Sequence, residues 1–146
     1  MKGLTILLLS IWGLWPNNNV SCGDLLSLYD QAAPYSLQFV DCERGTGQTI
    51  VKASYKVSGQ NATAIENYLV QKYGMGPLHF VCCGWESRGG KEGQISSEKL
   101  KAINPNYHMS VSMYGSAEMK NSSGKDYIER DRNKIEFWVT VEILKI

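Results

Sequence analysis

Two of the four cysteines in this chain, Cys82 and Cys83, are neighbours, and that adjacency restricts its covalent framework more than any other feature. Neighbouring residues of an extended strand point to opposite faces, so a bridge between Cys82 and Cys83 is disfavoured. Four cysteines allow three pairings. The favoured ones send Cys22 and Cys42 each to one member of the vicinal pair, with the order left open. Each bridge would then close a loop of about 40–60 residues and stabilise the fold by ~3–4 kcal/mol in the chain-entropy account.

Pairing presupposes an oxidising compartment, and the first residues point to one. Lys2 precedes an apolar run over 4–15, interrupted only by Thr5, Ser10 and Gly13 and closed by Pro16 and three asparagines. This is the pattern of a secretory signal peptide, and it is shorter than the ~20 residues a membrane-spanning helix needs. Cleavage favours small residues directly before the cut and two positions earlier. The cut after Ser21 fits best, although Asn19 is a poor match, and it leaves 22–146 as one domain. The expected location is the periplasm or the exterior, with disulfides formed and no transmembrane segment after cleavage. The alternative is a lipoprotein anchored through Cys22, although Asn19 stands where such a site normally carries leucine.

Removing residues 1–21 takes away one of the 15 basic side chains, Lys2, and none of the 14 acids, so the remainder is neutral. A duplex-binding protein needs a basic face to displace counterions, and no run of one sign remains to supply it. Nucleic acid and anionic membrane surfaces are therefore poor partners.

Along the domain, Asp24 can cap a short helix through Leu25, Leu28, Tyr29 and Ala32, stopped by Pro34. A strand over 37–43, a turn at 44–47 and a strand over 49–57 read as a hairpin; Val51, Ala53, Tyr55 and Val57 alternate with Lys52, Ser54 and Lys56. Residues 58–60 break the pattern. Thr63 and Glu66 then form a capping box for a helix whose apolar stripe is Ala62, Ile65, Tyr68, Leu69 and Tyr73, with Gly74 as its left-handed cap. A single strand is expected over 78–85, a glycine-rich loop over 87–94 and a helix over 97–103. Strands over 107–118 and 134–144 follow, separated by a polar stretch. The order α-β-β-α-β-α-β-β predicts an α+β fold: a largely antiparallel five-stranded sheet with two or three helices packed on it.

Catalytic constellations are sparse. A thiol nucleophile at Cys82 or Cys83 would need a base, and only His79 and His108 exist. His79 with the vicinal cysteines would be an awkward zinc set, since adjacent ligands must both turn inward. Phosphate-cradling and nucleophile-elbow motifs are absent, and carboxylates such as Glu86 and Glu118 are scattered. No catalytic residue, metal ligand or cofactor is assigned. Recognition is better supplied, because Trp138 falls on the polar side of the last strand and Trp85 stands with Glu86 and Arg88 before the glycine-rich loop. Trp and Arg are favoured at binding hot spots. A packing role competes for each: a helix over Trp138, and the disulfide region over Trp85.

Several runs resemble a set of exported bacterial proteins grouped as a domain of unknown function (DUF4952). They are Cys-Gly-Asp-Leu-Leu at 22–26, Ala-Ser-Tyr-Lys-Val-Ser-Gly at 53–59, Lys-Tyr-Gly-Met-Gly at 72–76, Phe-Val-Cys-Cys-Gly-Trp-Glu at 80–86, Ile-Asn-Pro-Asn-Tyr at 103–107 and Asp-Arg-Asn-Lys-Ile-Glu at 131–136. The likeness implies a bacterial origin and that all four cysteines belong to the domain. It implies no activity or ligand.

The expectation is an exported module that binds another protein of the cell envelope, of the immunity or inhibitor type. The alternatives are an envelope enzyme with a Cys–His pair, using His108 as base, and a lipid-anchored structural protein.

Overall fold

Val51, Ala53, Tyr55 and Val57 are wholly buried, and the residues between them are half-exposed. Such alternation puts one side of a strand in the core and the other toward water. The last strand repeats it with Phe137, Val139, Val141 and Ile143. In the computed structural model, which describes residues 19–146, these two strands lie side by side at the centre of an antiparallel sheet.

The elements in chain order are α1 (Leu25–Tyr29), β1 (Gln38–Arg44), β2 (Thr49–Ser58), α2 (Gly59–Tyr73), β3 (Leu78–Val81), β4 (Gly84–Ser87), β5 (Gly93–Ile95), α3 (Glu98–Ile103), β6 (Tyr107–Ser116), β7 (Glu118–Lys120), β8 (Asp126–Ile128) and β9 (Glu136–Lys145), with 3-10 turns at Arg88–Gly90 and Arg132–Lys134. The main sheet runs β1-β2-β9-β6-β4-β3, and β5 shares with β4 the free edge of β6. The helices lie on the face that carries Tyr55, Phe137 and Val111, where Leu25, Leu26, Ile65, Leu69 and Leu100 complete the core. Among the described residues no helix packs on the opposite face.

Among the described residues the fold is α+β with an antiparallel sheet and three helices, as the sequence predicts, but the main sheet has seven strands rather than five and a separate β7–β8 ribbon stands beside it. The β1–β2 hairpin forms, with Gly47 at φ 63 in its turn. Five local expectations are corrected. The segment 78–85 is a tight hairpin, β3–β4, with Cys82 and Cys83 at its tip. Helix α2 starts at Gly59, because Ser58 rather than Thr63 occupies the N-cap position and Glu66 turns inward. Helix α1 ends at Tyr29, well before Pro34. The glycine-rich loop contains β5, and the polar stretch folds into β7 and β8.

The disulfide framework also differs from the favoured one. Cys22 pairs with Cys42, and Cys82 pairs with Cys83. A vicinal bridge is disfavoured in an extended strand. Cys82 instead adopts φ 53 in a turn, where consecutive side chains no longer point apart. The Cys22–Cys42 bridge spans 20 residues, for which chain entropy suggests about 3 kcal/mol. It ties the segment before α1 to the edge strand β1. That segment is held further by Arg44, whose guanidinium donates to the Val20 carbonyl at 2.8 Å, and by the Ser21 N–H, which donates to the Tyr29 hydroxyl at 2.7 Å. Val20 itself belongs to the core. The expected signal segment falls mainly on residues 1–18, which lie outside the described residues.

Candidate functional site

On the side of the sheet away from the helices, strand register lines up Lys56, Trp138, Tyr114, Glu86 and His79 across β2, β9, β6, β4 and β3. Tyr114 and Trp138, in the middle of this row, are direct cross-strand partners, whose Cβ atoms typically stand about 5 Å apart. Tyr114 is 48% exposed and Trp138 is half-buried. Polar groups flank them. Lys56 meets Glu136 at 2.7 Å on one side, and on the other the Glu86 carbonyl lies 3.1 Å from His79 Nδ1. Ser54, Ser112 and Thr140 lie beside the aromatic pair on this face, with the charged Lys52 and Glu142 beyond them.

The end of this row opens into a cleft of about 420 Å³ between the β3–β4 tip and the end of β6. Cys82 and Cys83 form one wall, Tyr114 another, and Glu86 and Glu118 also line it. The tip is pinned to the sheet. The Ala117 N–H donates to the Cys83 carbonyl at 2.8 Å, and Gly84 lies so close to the Gly115 carbonyl that a Cβ there would overlap it. A larger depression of about 590 Å³ lies along the β7–β8 ribbon. It is lined only by the ribbon's own residues, two of which, Lys120 and Asp126, already pair at 2.7 Å, so no groups from elsewhere converge on it.

The residues singled out from sequence are distributed as follows. Glu86 and Trp138 share the open face, with Tyr114 between them. Trp85 points the other way, toward the helix side, where its ring meets Phe80 edge-on at 5.5 Å and the Arg132 guanidinium at 5.0 Å; its indole N–H has no protein partner. Arg88 lies in the 3-10 turn beyond β4, outside the cleft, and its backbone N–H donates to the Pro77 carbonyl at 2.9 Å. His108 pairs with Leu144 near the start of β6, whereas the cysteine turn meets the other end of that strand; seven residues of strand separate His108 from Gly115, roughly 23 Å. The chain has no free cysteine, so the Cys–His pair is not assembled. Glu86 and Glu118, scattered in sequence, share the cleft. Tyr114 was missed because only its long-range register with Trp138 distinguishes it from other strand tyrosines.

One further polar cluster lies between α1 and α2. Lys72 Nζ donates to Asp30 at 3.0 Å, to the Tyr68 hydroxyl at 3.0 Å and to Gln31 at 3.3 Å, and it sits over the Tyr68 and Tyr73 rings. The Tyr73 hydroxyl donates to Asp30 at 2.5 Å. Burial pushes the Asp30 carboxyl up, but hydrogen bonds from Tyr73 and Lys72 outweigh it and hold the group below its ordinary value. Burial and the Asp30 carboxylate together push the Tyr73 hydroxyl far up. Every donor here has an acceptor, so the cluster fastens α1 to α2 and offers nothing to a ligand.

Residues 15–85 match the family described as a domain of unknown function (DUF4952). The matched span ends at Trp85, so it takes in all four cysteines and stops short of Tyr114 and Trp138. No curated protein and no solved structure matches the chain.

Proposed function

We propose that this is an exported protein that acts by binding another protein of the cell envelope, as an immunity or inhibitor-type module, through the open sheet face centred on Trp138 and Tyr114. The carrying observation is the juxtaposition of these two large aromatics on a face that no helix of the described residues covers. Tryptophan and tyrosine give a partner broad contact area at little conformational cost, and buried aromatic anchors dominate most interfaces. Around them Lys56, Glu136 and Glu86 provide the charged rim that fixes register and excludes wrong partners.

The competing readings have less behind them. A catalytic thiol needs a reduced cysteine beside a histidine, and His108 lies at the far end of β6 from both cysteines of the turn. A lipid anchor at Cys22 needs the sulfur that Cys42 occupies.

The test compares the exported protein with a Tyr114→Ser/Trp138→Ser variant, each recovered from envelope extracts under native conditions. The wild type is expected to carry one partner in stoichiometric amount and the variant to lose it while keeping its melting behaviour. A partner retained by the folded variant would move the site elsewhere. No stoichiometric partner on the wild type would end the binding reading.

A further inference from the structure

We infer that the Cys82–Cys83 disulfide is a thiol–disulfide exchange site that accepts two electrons from a dithiol, while Cys22–Cys42 is purely structural. The inference does not depend on what the sheet face binds.

The two bridges differ in loop length, in exposure and in backbone conformation. Cys22 and Cys42 are half-buried and pack against the core beside Val20, and their bond closes a chain segment with a separation of 20. Constraining the unfolded chain is the usual work of a structural disulfide. Cys82–Cys83 has a separation of 1 and closes no loop, so it contributes essentially nothing of that kind. Cys82 is exposed at a hairpin tip, where an incoming thiolate can reach its sulfur.

The backbone is also unusual there. Cys82 is the one non-glycine residue with positive φ among the described residues, at 53°. The Cys83 N–H donates to the Val81 carbonyl at 2.6 Å, a three-residue turn centred on Cys82. Non-glycine residues held in the left-handed region are costly and concentrate at functional sites. The hydrogen bond from Ala117 and the close approach of Gly84 to Gly115 hold this turn in place, so the bond is presented on a rigid support at the edge of the cleft.

The exchange balances as follows. One thiolate of the dithiol attacks Cys82 Sγ; the Cys82–Cys83 bond breaks and its electron pair leaves on Cys83 Sγ, which takes up a proton. The second thiolate attacks the dithiol's own sulfur in the mixed disulfide and displaces Cys82 Sγ, which is protonated in turn. The dithiol leaves as a disulfide, and two electrons and two protons have passed to the hairpin. Glu86 and Glu118 line the same cleft, so a dithiol with no charge beyond its reacting thiolate is a better reductant than glutathione, whose carboxylates add negative charge.

The test uses the full exported protein, incubated with dithiothreitol, quenched with acid, and alkylated for peptide mass mapping. Cys82 and Cys83 are expected to become labelled together, at least about tenfold faster than Cys22 and Cys42, with no label before reductant is added. A Cys82→Ser/Cys83→Ser variant is expected to show no fast phase. Simultaneous or earlier opening of Cys22–Cys42 would overturn the inference. So would labelling of Cys82 and Cys83 without reductant, since those thiols would then not be joined. Both of those readings come from the wild-type protein and stand even if the variant folds poorly.

Discussion

Glu66 Oε2 and Arg132 Nη2 lie 2.6 Å apart, and the other oxygen of the same carboxylate accepts the Leu78 N–H at 2.6 Å. One nearly buried side chain thus joins α2 to the start of β3 and to the 3-10 turn before β9. The Arg132 guanidinium completes the arrangement by resting over Trp85 and Phe137. Removing one partner of such a pair strands the other, a loss of about 3 kcal/mol. Glu66→Ala is expected to lower unfolding stability by about that amount and Glu66→Gln by less, measured by urea denaturation at neutral pH. A loss under about 1 kcal/mol for Glu66→Ala would mean the pair is solvated as a surface pair is.

Asp30 supplies a pH dependence with a definite sign. Its carboxyl titrates below its ordinary value of 3.8 because Tyr73 and Lys72 donate to it, overcoming the upward push of burial. A group with a depressed folded value stabilises fully above its unfolded value and loses that contribution as pH falls through the folded one. Asp30→Asn is therefore expected to be less stable than wild type at pH 7, by about 1 kcal/mol, with the gap closing below the ordinary carboxylate value. Urea titrations of both proteins at neutral and acid pH measure it. A gap that is constant with pH would remove Asp30 from the acid response.

Val20 bears on processing. It is 2% exposed, and its carbonyl accepts from Arg44, so cleavage after Ser21 would take a core residue from the domain. Burying a valine contributes ~1.5–3 kcal/mol. A chain that begins at Cys22 is expected to be about 2 kcal/mol less stable than one that begins at Asn19. The protein isolated from cells is expected to retain Val20, which intact mass measurement checks. A natural start at Cys22, with stability equal to the longer chain, would contradict the packing of Val20.

The legible parts of the fold were those carried by local pattern. Alternation in β2 and β9 marks their buried faces from sequence alone, and Gly74, at φ 72, caps α2 where a glycine after an apolar stripe belongs. Glu66 misled the reading, because a glutamate three residues after a threonine looks like a capping box, and only the folded chain reveals that it serves Leu78 and Arg132 instead. The segment 78–85 misled for a related reason. Its apolar alternation continues through Cys82 and Cys83, and the reversal there depends on a positive φ that cysteine seldom adopts. Strands β5, β7 and β8 have three residues each, too few to establish a period. The candidate site was half legible. Trp138 and Glu86 stood out by residue type, whereas their meeting through Tyr114 rests on pairings of strands distant in the chain.

The most direct test of the proposed recognition face is site-specific photocrosslinking in intact cells. A photoreactive amino acid replaces Tyr114, and in a separate protein it replaces Lys101, which is exposed on α3 across the molecule. One discrete adduct of defined mass is expected from position 114 and none from position 101. No adduct at 114, or an equally strong one at 101, would contradict the proposed face.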